Sequence, residues 1–215
     1  MWAKLNSDKD TIEEIIVNPK TMIVDGITHP KTLFSLWTDA ERKAIGVVPV
    51  TTSGTSLNEK YYIEKDEAFA IAGDKNSVVR TIGVKDSDRK LADEDAKDKE
   101  GNQLLHDDGS KVINYGLKTQ AKDRATNNAN GLLQGFNWLI QRKVTADTAV
   151  PSAVITYMAA VRTAHASICT AIDNASDIDA FKVLHTTEYN EDGSVKTVAK
   201  VDDWPDDSGV KGNRR

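Results

Sequence analysis

The 215-residue sequence predicts an α+β fold: a small β-hairpin and meander part, then an antiparallel αα-hairpin, then a β-hairpin and a polar tail. Three observations carry this reading. Turn-forming pairs such as Asp25-Gly26 separate β-rich runs early in the chain. Between 132 and 172 the apolar residues recur at three- and four-residue spacing, the period of one helix face. After 185, short β-rich runs again flank a polar turn containing Asp192-Gly193.

Residues 1–50 read as a β-hairpin plus short-helix module. Thr11 to Val17 forms an apolar run, and Thr21-Met22-Ile23-Val24 meets Ile27-Thr28 across Asp25-Gly26. Both positions of such a turn need positive φ, which Asp-Gly supplies cheaply. Leu33, Phe34, Leu36 and Trp37 form a dense apolar cluster. Thr38-Asp39-Ala40-Glu41 is a capping box, and Gly46 suits the left-handed position after the helix end.

Residues 51–117 read as a β-meander with a charged loop. The Thr/Ser/Gly stretch 51–60 is expected to be a loop. Tyr61-Tyr62-Ile63, Ala68 to Ala72 and Val78 to Val84 are expected as strands. Residues 85–110 hold five Lys/Arg against nine Asp/Glu, with little to bury beyond Leu91, Leu104 and Leu105. Such a segment is expected to be solvated, or ordered only against a partner. Val112 to Tyr115 offers one more short strand.

Residues 118–184 read as the αα-hairpin. Leu132, Leu133, Phe136, Leu139, Ile140 and Val144 are expected on one helix face. Thr145 to Val150 connects to a second helix opened by Pro151, with Val154, Met158, Val161, His165, Ile168 and Ile172 on its stripe. Seven alanines in 151–175 keep this helix thin. A short connector makes the two helices antiparallel. Ser176-Asp177 starts a further short helix. Residues 185–215 read as a β-hairpin and a tail from Trp204 onward that is expected to fray.

Composition narrows the function classes. A net charge of −5 argues against nucleic-acid and anionic-membrane partners, which need a basic footprint. No run approaches a transmembrane span, and the first residues lack the apolar core of a secretory signal. A single cysteine, Cys169, leaves no intrachain disulfide and no cysteine metal cluster. Phosphate-loop, dinucleotide and nucleophile-elbow motifs are missing, and His29, His106, His165 and His185 fall in no metalloprotease pattern. The Asp93 to Gly101 run does not fit a calcium loop, because Lys97 and Lys99 stand at ligand-like spacings. The sequence therefore leads us to expect no catalytic residues, no cofactor and no metal. His165 is expected as a satisfied helix histidine and Cys169 as a small buried hydrophobe.

Aromatics at the margin of the stripe are more informative. Trp138 and Trp204 either pack locally or anchor a subunit contact, where aromatics are enriched. The candidate interface set is Trp138, Arg142, Tyr157, Arg162 and Trp204.

Two stretches carry a resemblance. One is Val24-Asp25-Gly26-Ile27-Thr28-His29-Pro30 with Leu33 to Glu41 and Ala44-Ile45-Gly46-Val47. The other is Leu132-Leu133, Trp138 to Arg142, Ala149-Val150-Pro151 and Tyr157 to Arg162. Together they resemble small tail-region proteins of tailed bacteriophages, over roughly half the chain as a share of one or two domains. In that family's pattern Thr-Asp precedes the tryptophan, where Phe136-Asn137 stands here, and Tyr-Arg stands at Tyr157-Met158. The resemblance implies a non-enzymatic virion component in the tail, baseplate or fibre-attachment region, made in the bacterial host cytoplasm. Its partners would be other phage tail proteins, in a symmetric homo-oligomer. A tail or tail-fibre assembly chaperone, absent from the mature particle, is the alternative it implies. A further alternative, read from the residues and not from the resemblance, is a receptor- or glycan-binding module in which the 61–84 meander presents Tyr61-Tyr62 to a sugar.

Overall fold

The computed structural model describes residues 1–214. Six α-helices and thirteen strands in several small sheets make it an α+β protein, as the sequence predicts. The contacts divide it into two units, Met1–Asp88 and Arg89–Arg215.

The first unit is built on a five-stranded sheet. β1 (Trp2–Leu5) pairs antiparallel with β2 (Ile12–Ile16). β3 (Met22–Val24) and β4 (Ile27–His29) form their own hairpin, closed by Asp25 at φ 47° and Gly26 at φ 79°. These are the two positive values that the Asp-Gly pair predicts. α1 (Leu33–Leu36) and α2 (Asp39–Ala44) follow. The capping box closes as expected: the Thr38 hydroxyl accepts from the Glu41 amide at 3.3 Å, and the Glu41 carboxylate accepts from the Thr38 amide at 2.7 Å. Arg42 joins the two helices by donating to the carbonyls of Leu33, Phe34 and Trp37.

β5 (Val47–Ser53) runs further than the sequence suggests, because the first three residues of the expected 51–60 loop belong to a strand. Next come β6 (Tyr62–Glu64), β7 (Ala68–Ile71), β8 (Val78–Thr81) and β9 (Lys85–Asp88). The sheet order is β2-β1-β5-β8-β7, with β5 and β8 parallel. β6 pairs with β9 rather than with β7. Residues 51–53 are extended because β8 supplies their ladder across a gap of more than 20 residues, which local composition does not encode. Gly54 and Gly83 sit just past the ends of the parallel pair. A Cβ on Gly54 would lie 2.2 Å from the Ile82 carbonyl oxygen, and one on Gly83 would lie 1.9 Å from that of Thr55. Both have positive φ, so only glycine allows the two loops to pass this closely. One buried cluster gathers Ile16, Met22, Val24, Leu33, Phe34 and Val47. A second gathers Ala3, Leu5, Val48 and Val78.

The second unit opens with most of the charged stretch, which is largely exposed, as expected, but carries short pairings of its own instead of a plain loop. β10 (Glu94–Asp95) pairs with β11 (Ile113–Asn114), and single bridges join Lys97 to Gln103 and Leu105 to Lys111. The acids themselves make the turns. Asp98 accepts from the amides of Glu100 and Asn102, and Asp108 accepts from the Ser110 amide and hydroxyl. Asp-centred turns organise a chain that has little apolar surface to bury. Ala96, buried, holds the centre through hydrogen bonds with Val112 and Leu104.

The helices follow: α3 (Leu117–Gln134), α4 (Asn137–Ala146), α5 (Ser152–Asn174) and α6 (Ile178–Leu184). α3 and α5 are antiparallel. Lys118 and Lys122 meet Asp173, Thr126 meets His165, and Phe136 meets Tyr157, so one number climbs as the other falls. The expected single helix through 132–144 is broken at Gly135-Phe136. The break rotates the stripe: Phe136 and Leu139 are buried, whereas Ile140 is 45% and Val144 80% exposed. Asp177 caps α6 by accepting from the Ala180 amide at 2.8 Å. β12 (Glu188–Tyr189) and β13 (Val195–Thr197) form the expected hairpin. The stretch from 204 does not fray: Val210 is buried and Trp204 packs on the helical core.

Candidate docking face on the helical pair

Every residue of the candidate interface set lies at one end of the α3–α5 pair or on the stretch that packs against it. The break between α3 and α4 creates the geometry. Phe136 is fully buried and meets Tyr157 edge-on at 5.7 Å. Without a Cβ at Gly135, the side chain of Arg214 can lie against the break; a Cβ there would stand 3.1 Å from Arg214 Cγ. The Arg214 guanidinium donates to the Leu132 carbonyl and to the Tyr157 hydroxyl, both at 3.3 Å. It stacks 5.3 Å from the Phe136 ring centroid and pairs with Asp207 at 3.1 Å. It therefore satisfies a carbonyl left open where α3 ends. The sequence reading missed Arg214. Gly135 inside an apolar helical run was the available signal for the break, but nothing local points to a partner 79 positions further on.

Trp138 is half-buried and donates from Nε1 to the Asn213 carbonyl at 2.9 Å. Arg142 places its guanidinium 4.9 Å from the Trp138 ring centroid. Trp204 packs on the same core, with its Nε1 buried and without a hydrogen-bond partner. Tyr157 is buried, so it supports the face from inside. Trp138, Tyr157 and Trp204 thus hold the 204–214 stretch and the helices together, and Arg142 covers the Trp138 ring.

Arg162 differs from the other four. It is exposed and makes no hydrogen bond or ion pair among the described residues. It borders a hollow of about 390 Å³ lined by the polar Asn130, Gln134 and Asn137 and the apolar Leu133, Ile140 and Met158. Asn137, Ile140 and Val144 share one face of α4, and Ile155, Met158 and Arg162 share one face of α5, by their three- and four-residue spacing. Ile140, Val144 and Ile155 are exposed. The result is an apolar strip ending in side-chain amides and a free guanidinium. From 124 to 172 the chain has Arg124, Arg142, Lys143 and Arg162 against the single acid Asp147, although its overall charge is −5. Lys143 is taken up by Asp147 at 2.8 Å.

The other expected sites resolve locally. His165 Nε2 meets Thr126 Oγ1 at 3.0 Å and Cys169 Sγ at 3.5 Å. Burial pushes the Cys169 thiol above its ordinary pKa, which disfavours the thiolate. His185 Nδ1 lies 3.0 Å from the Phe181 carbonyl. Tyr61 is buried and Tyr62 lies under the Lys85 ammonium, so the two do not form an open aromatic platform. Among the described residues no three His, Cys, Asp or Glu side chains converge for a metal ion, and no helix is long and apolar enough to cross a membrane. No protein-family model, curated protein or solved structure matches this chain.

Proposed function

We propose that this chain is a non-enzymatic structural component of a tailed-phage virion, placed in the tail, baseplate or fibre-attachment region. The observation that carries the docking role is the face formed by Ile140, Val144, Ile155 and Arg162. Ile140 and Arg162 line one hollow, and Val144 and Ile155 lie exposed along the same two helix faces, so the face offers apolar area and one unused cation, the ingredients of a protein contact. The two-part sequence resemblance supports placing that contact in a phage particle. Residues 204–214 pack onto the buried core that carries these helices, and a face held in place by its core loses less entropy on binding.

Mass spectrometry of purified particles tests the reading. The expected result is this chain in the particle at a fixed ratio to the other tail proteins. Its presence in infected cells but absence from particles would replace the structural role by that of an assembly chaperone. Specific binding on a glycan array, with the chain absent from particles, would replace it by a receptor-binding module.

A further inference from the structure

We infer that the occupant of the helical face is a second copy of this chain, which inserts its β12–β13 hairpin tip so that Glu191 meets Arg162. This rests on reading the face as an interface, and not on the phage assignment.

The hairpin complements the face in charge and in apolar surface. Its turn is fixed internally. The Asn190 amide donates to the Ser194 carbonyl at 2.8 Å, and Asp192 accepts from the Ser194 amide and hydroxyl at 2.9 and 2.6 Å. Glu188 is paired with Lys196 at 3.3 Å. Glu191 is the acid left over: it is exposed at the tip and has no hydrogen bond or ion pair among the described residues. Arg162 is its counterpart, an unused cation in a hollow whose side-chain amides can donate to a carboxylate. Tyr189 and Val195 pair beside the tip and are exposed, as Ile140 is exposed in the lining of the hollow that Arg162 borders. A rigid acidic tip flanked by apolar residues thus faces a cationic hollow lined by amides and apolar residues. The two surfaces are different parts of the same chain. The contact is either made twice about a two-fold axis, Arg162 to Glu191 in both directions, or repeats from copy to copy until it closes a ring or extends as a filament.

Sedimentation velocity on the full chain, from low micromolar to about 1 mM, tests this. The expected result is concentration-dependent association, to a dimer if the contact is reciprocal and to larger species if it runs head to tail. R162E and E191R should each weaken association about tenfold, and the double variant R162E/E191R should recover most of it. Both side chains are exposed and make no internal bond, so the circular dichroism of each variant should match the parent. A monomer throughout, association indifferent to either reversal, or loss without recovery in the double variant would overturn the inference. Particle mass spectrometry has an independent outcome, so failure of this contact and failure of the virion role are separable.

Discussion

At the scale of single residues, Phe136 has the largest role in the second unit. It is fully buried, touches Tyr157 edge-on and lies beneath the Arg214 guanidinium. Phe136→Ala removes all three contacts and leaves a cavity that the broken helix cannot collapse. The expected loss is about 3–5 kcal/mol, read from urea unfolding. Trp138→Phe is milder and more specific. It keeps a ring at the site but removes the Nε1 donor to the Asn213 carbonyl. Amide exchange should accelerate in 204–214 and stay unchanged in the middle of α5. These residues were legible to different degrees. Trp138 stands out as an aromatic at the edge of a stripe, but its partner does not, because Asn213 is 75 positions away and periodicity records only neighbours on one helix. Tyr157 reads in sequence as an interface residue, whereas its ring is buried, since an i,i+3 or i,i+4 pattern does not say which margin of a stripe faces inward.

At the scale of elements, the parts with local chemistry are the ones the sequence displays. The Thr38–Glu41 box, the Asp25-Gly26 turn and the Asp177 cap all appear where their residues predict. Thr38→Ala should cost about 1 kcal/mol, measured by thermal or urea unfolding of the first unit. The same box gives a sign for pH. Hydrogen bonds from the Thr38 amide and hydroxyl hold the Glu41 carboxyl below its ordinary pKa. A carboxyl depressed on folding contributes stability above its unfolded pKa and loses it as pH falls through the folded one. Stability of the parent chain should therefore fall faster than that of Glu41→Gln on acidification below the ordinary Glu range, and equal slopes there would contradict the role of the box. Elements held from a distance were not legible. The parallel β5–β8 pair needs Gly54 and Gly83 to pass close to Ile82 and Thr55, and the sequence shows only a polar loop and a glycine at the end of an apolar run. Gly83→Ala forces a Cβ into the Thr55 carbonyl at a positive φ. It should destabilise the first unit by about 2 kcal/mol or more, or prevent its folding.

At the scale of the whole molecule, three buried clusters among the described residues each draw on one unit. Leu33, Phe34, Val47 and their neighbours come entirely from the first unit, as do Ala3, Leu5, Val48 and Val78. Phe136, Leu139, Val154, Val161 and Val210 come entirely from the second. Cooperativity follows shared burial, because a cavity costs energy only in the core it opens. A core truncation should therefore act on one unit at a time. Leu33→Ala, at a fully buried position, should remove about 2–5 kcal/mol from the first unit, while the second keeps its parent melting temperature. Phe136→Ala should do the reverse. Scanning calorimetry of the two variants, with amide exchange to assign each transition to residues before or after Asp88, distinguishes the cases. If both substitutions moved one shared transition by the same amount, the chain would behave as one cooperative body, and its two sets of clusters would not be the units of its stability. If they separate, the helical face and the acidic hairpin belong to a body that folds by its own core, and contacts made through them draw on the stability of that body alone.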